Sequence, residues 1–146
     1  MYTIEKSKLG QMDLYRLTLG GFMNPEEVAN WVADSTREFD ASGAPFSVAL
    51  DMRSLMPLSE DARHTLKEGQ KQFMAHGMVR TAVLVHNVFN RLHFEMEAAE
   101  TGDPQCVKYF AATEPEWEQA MNDWMEKGKY TPSQVPPPFF FDSESN

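Results

Sequence analysis

The chain has a single cysteine, Cys106, among its 146 residues. It can form no disulfide within itself, which fits a reducing compartment. Positive charge is also scarce: 13 Lys and Arg stand against 22 Asp and Glu, a net charge of −9. The imbalance is concentrated between residues 95 and 126, where nine carboxylates accompany only Lys108. A surface that holds phosphates needs the opposite sign, so nucleic acid and an anionic membrane are poor partners. Long apolar runs are missing too. None approaches the roughly 20 residues that cross a bilayer, so no membrane insertion is expected. The opening Met-Tyr-Thr-Ile-Glu-Lys lacks the basic and then apolar regions of a signal peptide. A bacterial-type cytoplasmic protein is the expectation.

Recognisable chemistry is equally sparse. There is no Gly-rich phosphate loop, no nucleophile elbow and no paired catalytic carboxylates. Neither an enzyme nor a cofactor is therefore expected. The four histidines, His64, His76, His86 and His93, form no ligand pattern. His93 and Glu97 lie one helical turn apart but lack a second histidine at matching spacing, so they read as a solvated face and not as a metal site. Cys106 has no basic neighbours to lower its pKa and reads as an inert, buried or half-buried thiol.

What the sequence does contain is an alternation. Polar and acidic residues open amphipathic runs that glycines close: Asn24-Pro-Glu-Glu to Gly43, Ser59-Glu-Asp to Gly77, Asn87 to Gly102, and Thr113-Glu-Pro-Glu to Gly128. Short β-rich segments precede the first run and separate the others. Residues 2–5 and 14–19 read as strands around a turn at Gly10, and residues 46–51, 81–86 and 107–110 as three further strands. At 42% hydrophobic, with ten Phe and three Trp, the chain can bury one core but hardly two.

The first helix carries Asn24 as cap, Pro25 at the first helical position and Glu27 in a capping-box-like place. Its inner face is Val28, Trp31, Val32, Ser35 and Phe39, at helical spacing. The second turns Ala62, Leu66, Gly69 and Phe73 inward, the third Phe89, Leu92, Met96 and Ala99, and the last Trp117, Ala120, Met121 and Trp124. Phe46-Ser-Val-Ala-Leu and Thr81-Ala-Val-Leu-Val are apolar enough to be central strands covered on both faces. Strands separated by helices of this length pair in parallel through right-handed crossovers. The fold class is thus α/β: a mixed, mostly parallel sheet of four to five strands with four helices, over residues 1–130. Residues 131–146 form a Pro- and Phe-rich tail whose natural state is polyproline II.

Ligands of open α/β sheets lie beyond the carboxyl ends of the parallel strands. Asp51, Arg53 and Ser54 should stand there after the third strand, and His86, Asn87, Asn90 and Arg91 after the fourth. Two arginines and the amides that open the third helix could hold a carboxylate or phosphate. The plainer reading pairs Asp51 with Arg53 or has them cap neighbouring groups, and leaves Asn87 as a cap only. In the tail, Phe139, Phe140 and Phe141 form an apolar anchor. It docks either on its own domain or on a second copy, and a homodimer with exchanged or closely packed tails is the expectation.

The order of elements, with Asn24-Pro-Glu-Glu, the strand ending Leu50-Asp-Met-Arg53, and Val107-Lys-Tyr-Phe110 followed by Glu116-Trp-Glu-Gln-Ala120 and Trp124, resembles the STAS-domain superfamily. The likeness is to its SpoIIAA-like, uncharacterised bacterial branch, where an Arg after the fourth strand corresponds to the region of Arg91. It covers residues 1–128 and excludes the tail. The resemblance implies a non-catalytic regulatory or protein-interaction module, whose acidic third and fourth helices meet a basic or apolar protein partner. It also implies an alternative, a small-ligand or lipid carrier of Sec14-like character that binds at the carboxyl ends of the central strands. Members that antagonise anti-sigma factors are phosphorylated on a serine at the start of the second helix. Here that stretch reads Leu58-Ser-Glu-Asp-Ala, and Glu60 and Asp61 supply permanent negative charge in the serine positions. A phosphoryl group beside them would be repelled. Ser59 reads as a helix cap with acidic residues well placed on the helix dipole.

Overall fold

The computed structural model describes residues 1–101 and 105–130. The closing glycine expected at 102, the 131–146 tail and its anchor Phe139, Phe140 and Phe141 lie outside them. Nine elements follow in order: β1 (Tyr2–Leu9), β2 (Met12–Leu19), α1 (Pro25–Ser42), β3 (Phe46–Asp51), α2 (Glu60–Ala75), β4 (Met78–Val85), α3 (Val88–Thr101), β5 (Val107–Ala111) and α4 (Trp117–Lys127). The sheet is mixed, five-stranded and ordered β1-β2-β3-β4-β5, with β1 antiparallel and every other neighbour parallel.

The hairpin is longer than its hydrophobic pattern suggests. β1 runs the full ladder from Tyr2 opposite Leu19 to Leu9 opposite Met12. Gly10, at φ +64°, takes the first central position, where primed hairpin turns need a left-handed residue. An edge strand has one long side in water, so Lys6 and Lys8 fit there, and both reach the carboxylate of Asp13, Lys8 at 2.6 Å.

The helices divide unequally between the faces. Residues from α1, α2 and α3 pack on the face formed by Tyr15, Leu17, Val48, Leu50, Val83, Val85 and Tyr109. Met121, Trp124 and Met125 of α4 pack on the other, against Leu14, Ala49, Ala82, Leu84 and Phe110. The reason is topological. Strands added in one direction by crossovers of a single hand place every crossover helix on the same side. Among the described residues α4 leads to no further strand, so it is free to close the opposite face.

The inner face of α1 is Val28, Trp31, Val32, Ser35 and Phe39, as the spacing indicates, and Asn24 Oδ1 accepts from the Glu27 amide at 2.8 Å. Phe39 stacks on Phe46 with centroids 4.1 Å apart and meets Phe73 edge-on at 5.0 Å. α2 packs directly against α1 at Gly69, where an added Cβ would sit 2.4 Å from Val32 Cγ2. Gly69→Ala gains about 1 kcal/mol of helix propensity but overpacks this contact at a cost of about 1–3 kcal/mol. Val32 is β-branched and held in one helical rotamer, so the clash should win and the melting temperature should fall. Adding Val32→Ala to the same chain should reverse most of that loss; calorimetry of the three variants checks the pair.

Two helices differ from their sequence patterns. α3 was expected to bury Phe89, Leu92, Met96 and Ala99. Phe89 is 55% and Met96 64% exposed, Ala99 is exposed and Leu92 half-buried. The helix instead turns Arg91, Phe94 and Ala98 inward. Phe94 lies parallel to Tyr109 of β5 at 5.7 Å, and the charge of Arg91 is met inside by Glu114 at 2.9 Å, a partner 23 residues on. α4 does not open on Thr113. It begins at Trp117 after Glu116, which has φ 59° and gives no side-chain cap. Helical geometry at Glu114 is disfavoured by Pro115 behind it, and the Glu114 amide closes a turn onto the Ala111 carbonyl instead.

Candidate functional site

The carboxyl ends of β2 and β3 are laced by their loops. The Gly21 amide donates to the Ser54 carbonyl at 2.9 Å, the Met56 amide to Gly21 at 3.0 Å, and the Met52 amide to Leu84 at 2.9 Å. This holds the 52–58 loop over the face that carries α2 and α3. Beneath it lies a cavity of about 330 Å³, within the roughly 300–1,000 Å³ range of small-molecule sites. Its walls are Val83 and Val85 of β4, Tyr109 of β5, Leu66 of α2 and Phe94 of α3, and the loop adds Met52, Leu55 and Leu58.

Charged groups form the mouth, and most are paired. Arg53 holds Asp51 by two prongs, Nη2 to Oδ2 at 2.8 Å and Nε to Oδ1 at 3.1 Å, while its amide donates to the same Oδ1. Burial pushes the Asp51 carboxyl up, but the side-chain and backbone hydrogen bonds from Arg53 outweigh it and hold the group below its ordinary value. The Arg53 guanidinium also lies 5.5 Å from the centre of the Trp117 ring, a cation–π arrangement. Across the mouth, Arg63 Nη1 reaches Glu97 Oε1 at 3.2 Å, and His93 Nε2 approaches the same oxygen at 3.8 Å.

Of the residues singled out from sequence, Arg53 and His86 line this cavity together with Asn90, and Asp51 stands behind Arg53. Ser54 is exposed and contributes its carbonyl to the loop. Ser59 Oγ accepts from the Ala62 amide at 3.1 Å and caps α2. Asn87 Oδ1 accepts from the Asn90 amide at 2.9 Å and serves α3 in the same way. Arg91 is not brought to them. It points to a second hollow of about 270 Å³ beside Glu114, Trp117 and Tyr130, where Tyr130 donates to Glu95 at 3.1 Å. Burial, and then the Glu95 charge, push that phenol up to about 12. Burial likewise raises the Cys106 thiol. Among the described residues no group of three or more His, Cys, Asp or Glu could hold a metal, and no helix is long and apolar enough to cross a membrane.

Sequence reasoning missed Arg63, Lys67, Phe94, Tyr109 and above all Gln70, which line the cavity. For Gln70 a signal was present. It stands four residues after Leu66, inside the apolar stripe of α2, where a polar residue calls for a reason. No protein-family model matches this chain, and neither a curated protein nor a solved structure does.

Proposed function

We propose that this protein is a non-catalytic binding module that holds a small, mostly apolar molecule in the cavity beneath the 52–58 loop. The observation that carries the reading is the cavity itself: a hollow of about 330 Å³ at the carboxyl ends of β3 and β4, walled by apolar side chains. Among the described residues no Ser, Thr or Cys lines it and its hydroxyl is the Tyr109 phenol, so no serine-, threonine- or cysteine-type nucleophile faces a bound molecule, which favours holding over cleaving. A cytoplasmic setting belongs to the same proposal.

Native mass spectrometry of the full chain, purified without denaturation, tests it. The expected result is a co-purified small molecule that denaturation releases and that Leu58→Trp, which fills the cavity from its loop, displaces. A chain that carries nothing, and whose melting temperature no small apolar compound raises, would refute the reading.

A second reading, a regulatory module that binds a protein partner in the manner of STAS domains, has its own support. The element order and the Asp51–Arg53 pair fit that resemblance, and α3 presents Phe89 and Met96 outward. The two readings are compatible, because a ligand beneath α3 would bias the surface that α3 presents.

A further inference from the structure

We propose that the cavity selects an uncharged molecule carrying one amide-like group, a carboxamide or lactam, on a flat apolar body, and that Gln70 is the side chain that reads it. The inference rests on the cavity's being a ligand site. Gln70 is 8% exposed and lines the hollow beside Leu66. Its side-chain amide makes no hydrogen bond to the described residues and is not among the polar atoms closed off from solvent, so it opens onto the hollow. There it offers two donors and a carbonyl acceptor, the complement of another amide. The charges at the mouth argue against an anion. Arg53 is occupied by Asp51, and Arg63 and His93 share Glu97. An anionic ligand would have to compete with carboxylates already in place; a neutral one disturbs none of these pairs. Phe94 and Tyr109 stack on each other, centroids 5.7 Å apart and parallel to within 6°, and give the cavity one flat aromatic wall. Its volume, about 330 Å³, is about twice the ~150 Å³ that accommodates benzene in an engineered cavity, so a fused two-ring body fits.

Three probes of one shape test this on the full chain: 2-naphthamide, 2-naphthoate and 2-methylnaphthalene, each titrated at neutral pH and followed by amide NMR shifts. The carboxamide should bind about tenfold or more tighter than the other two, the effect of pairing its amide with that of Gln70 away from bulk water. Gln70→Met, which keeps the volume, should bring the carboxamide to the level of the hydrocarbon and leave the hydrocarbon's affinity unchanged or improved. Tightest binding by naphthoate would overturn the proposal, because the mouth cations would then be selecting. Equal affinity for carboxamide and hydrocarbon would overturn the role of Gln70 and leave the cavity a ligand site. Binding of none of the three would overturn both. The ranking on the unaltered chain needs no variant, so it decides the matter even if Gln70→Met fails to fold.

Discussion

Replacing Trp124 with Ala is expected to lower the free energy of unfolding by about 3–5 kcal/mol. Trp124 is 9% exposed and belongs to the helix that, among the described residues, covers its face of the sheet, where it packs with Phe110, Leu84 and Met125. Its indole Nε1 donates to the Thr81 carbonyl at 3.0 Å. Truncation therefore opens a cavity and strands a buried acceptor together. Arg80 and Lys108 lie over the ring at 5.8 and 5.6 Å and lose their aromatic partner as well. Trp124→Phe separates the contributions: it keeps most of the burial and forfeits the hydrogen bond, about 1–2 kcal/mol. Urea denaturation of both variants measures this. A loss under about 1 kcal/mol for Trp124→Ala would mean that α4 does not anchor this face.

The second large effect is expected at Arg91. The residue is 6% exposed, and its partner Glu114 is mostly buried as well. Arg91→Met keeps the volume but leaves the Glu114 carboxylate without its cation. Removing one member of a buried pair costs about 3–5 kcal/mol, whereas replacing both members by uncharged groups is often close to neutral. Arg91→Met should thus be strongly destabilised, and Arg91→Met with Glu114→Gln should recover most of the loss. Denaturation of the two single variants and the double variant gives the coupling directly. If the single Arg91 variant stays within about 1 kcal/mol of the parent, water reaches the pair and the interior site is not closed.

The contrast between α1 and α3 shows how far the sequence could be read. In α1 every signal is local: a cap at Asn24, a proline at the first position and apolar residues at helical spacing, so its buried face is legible without the rest of the molecule. In α3 the apolar residues fall on two faces. Phe89 and Met96 compete with Phe94 and Ala98, and the choice depends on Glu114 and Tyr109, which belong to other elements. Gly69 lies between these cases. Its place on the inner face of α2 is visible from spacing, but the need for a missing side chain there comes from Val32 on another helix.

The sequence by itself determined the order and kind of the nine elements, the caps at Asn24, Ser59 and Asn87 and the parallel pairing of the central strands. All of these rest on interactions within a few residues, or on a periodicity that repeats along one element. Only the tertiary structure decided which face each helix covers, that Arg91 turns away from the strand ends, and that a cavity opens beneath the 52–58 loop with Gln70 in its wall. Those outcomes depend on contacts between residues far apart in the chain, where the free energy of a buried charge or an unsatisfied amide is set by whichever group the fold brings alongside it.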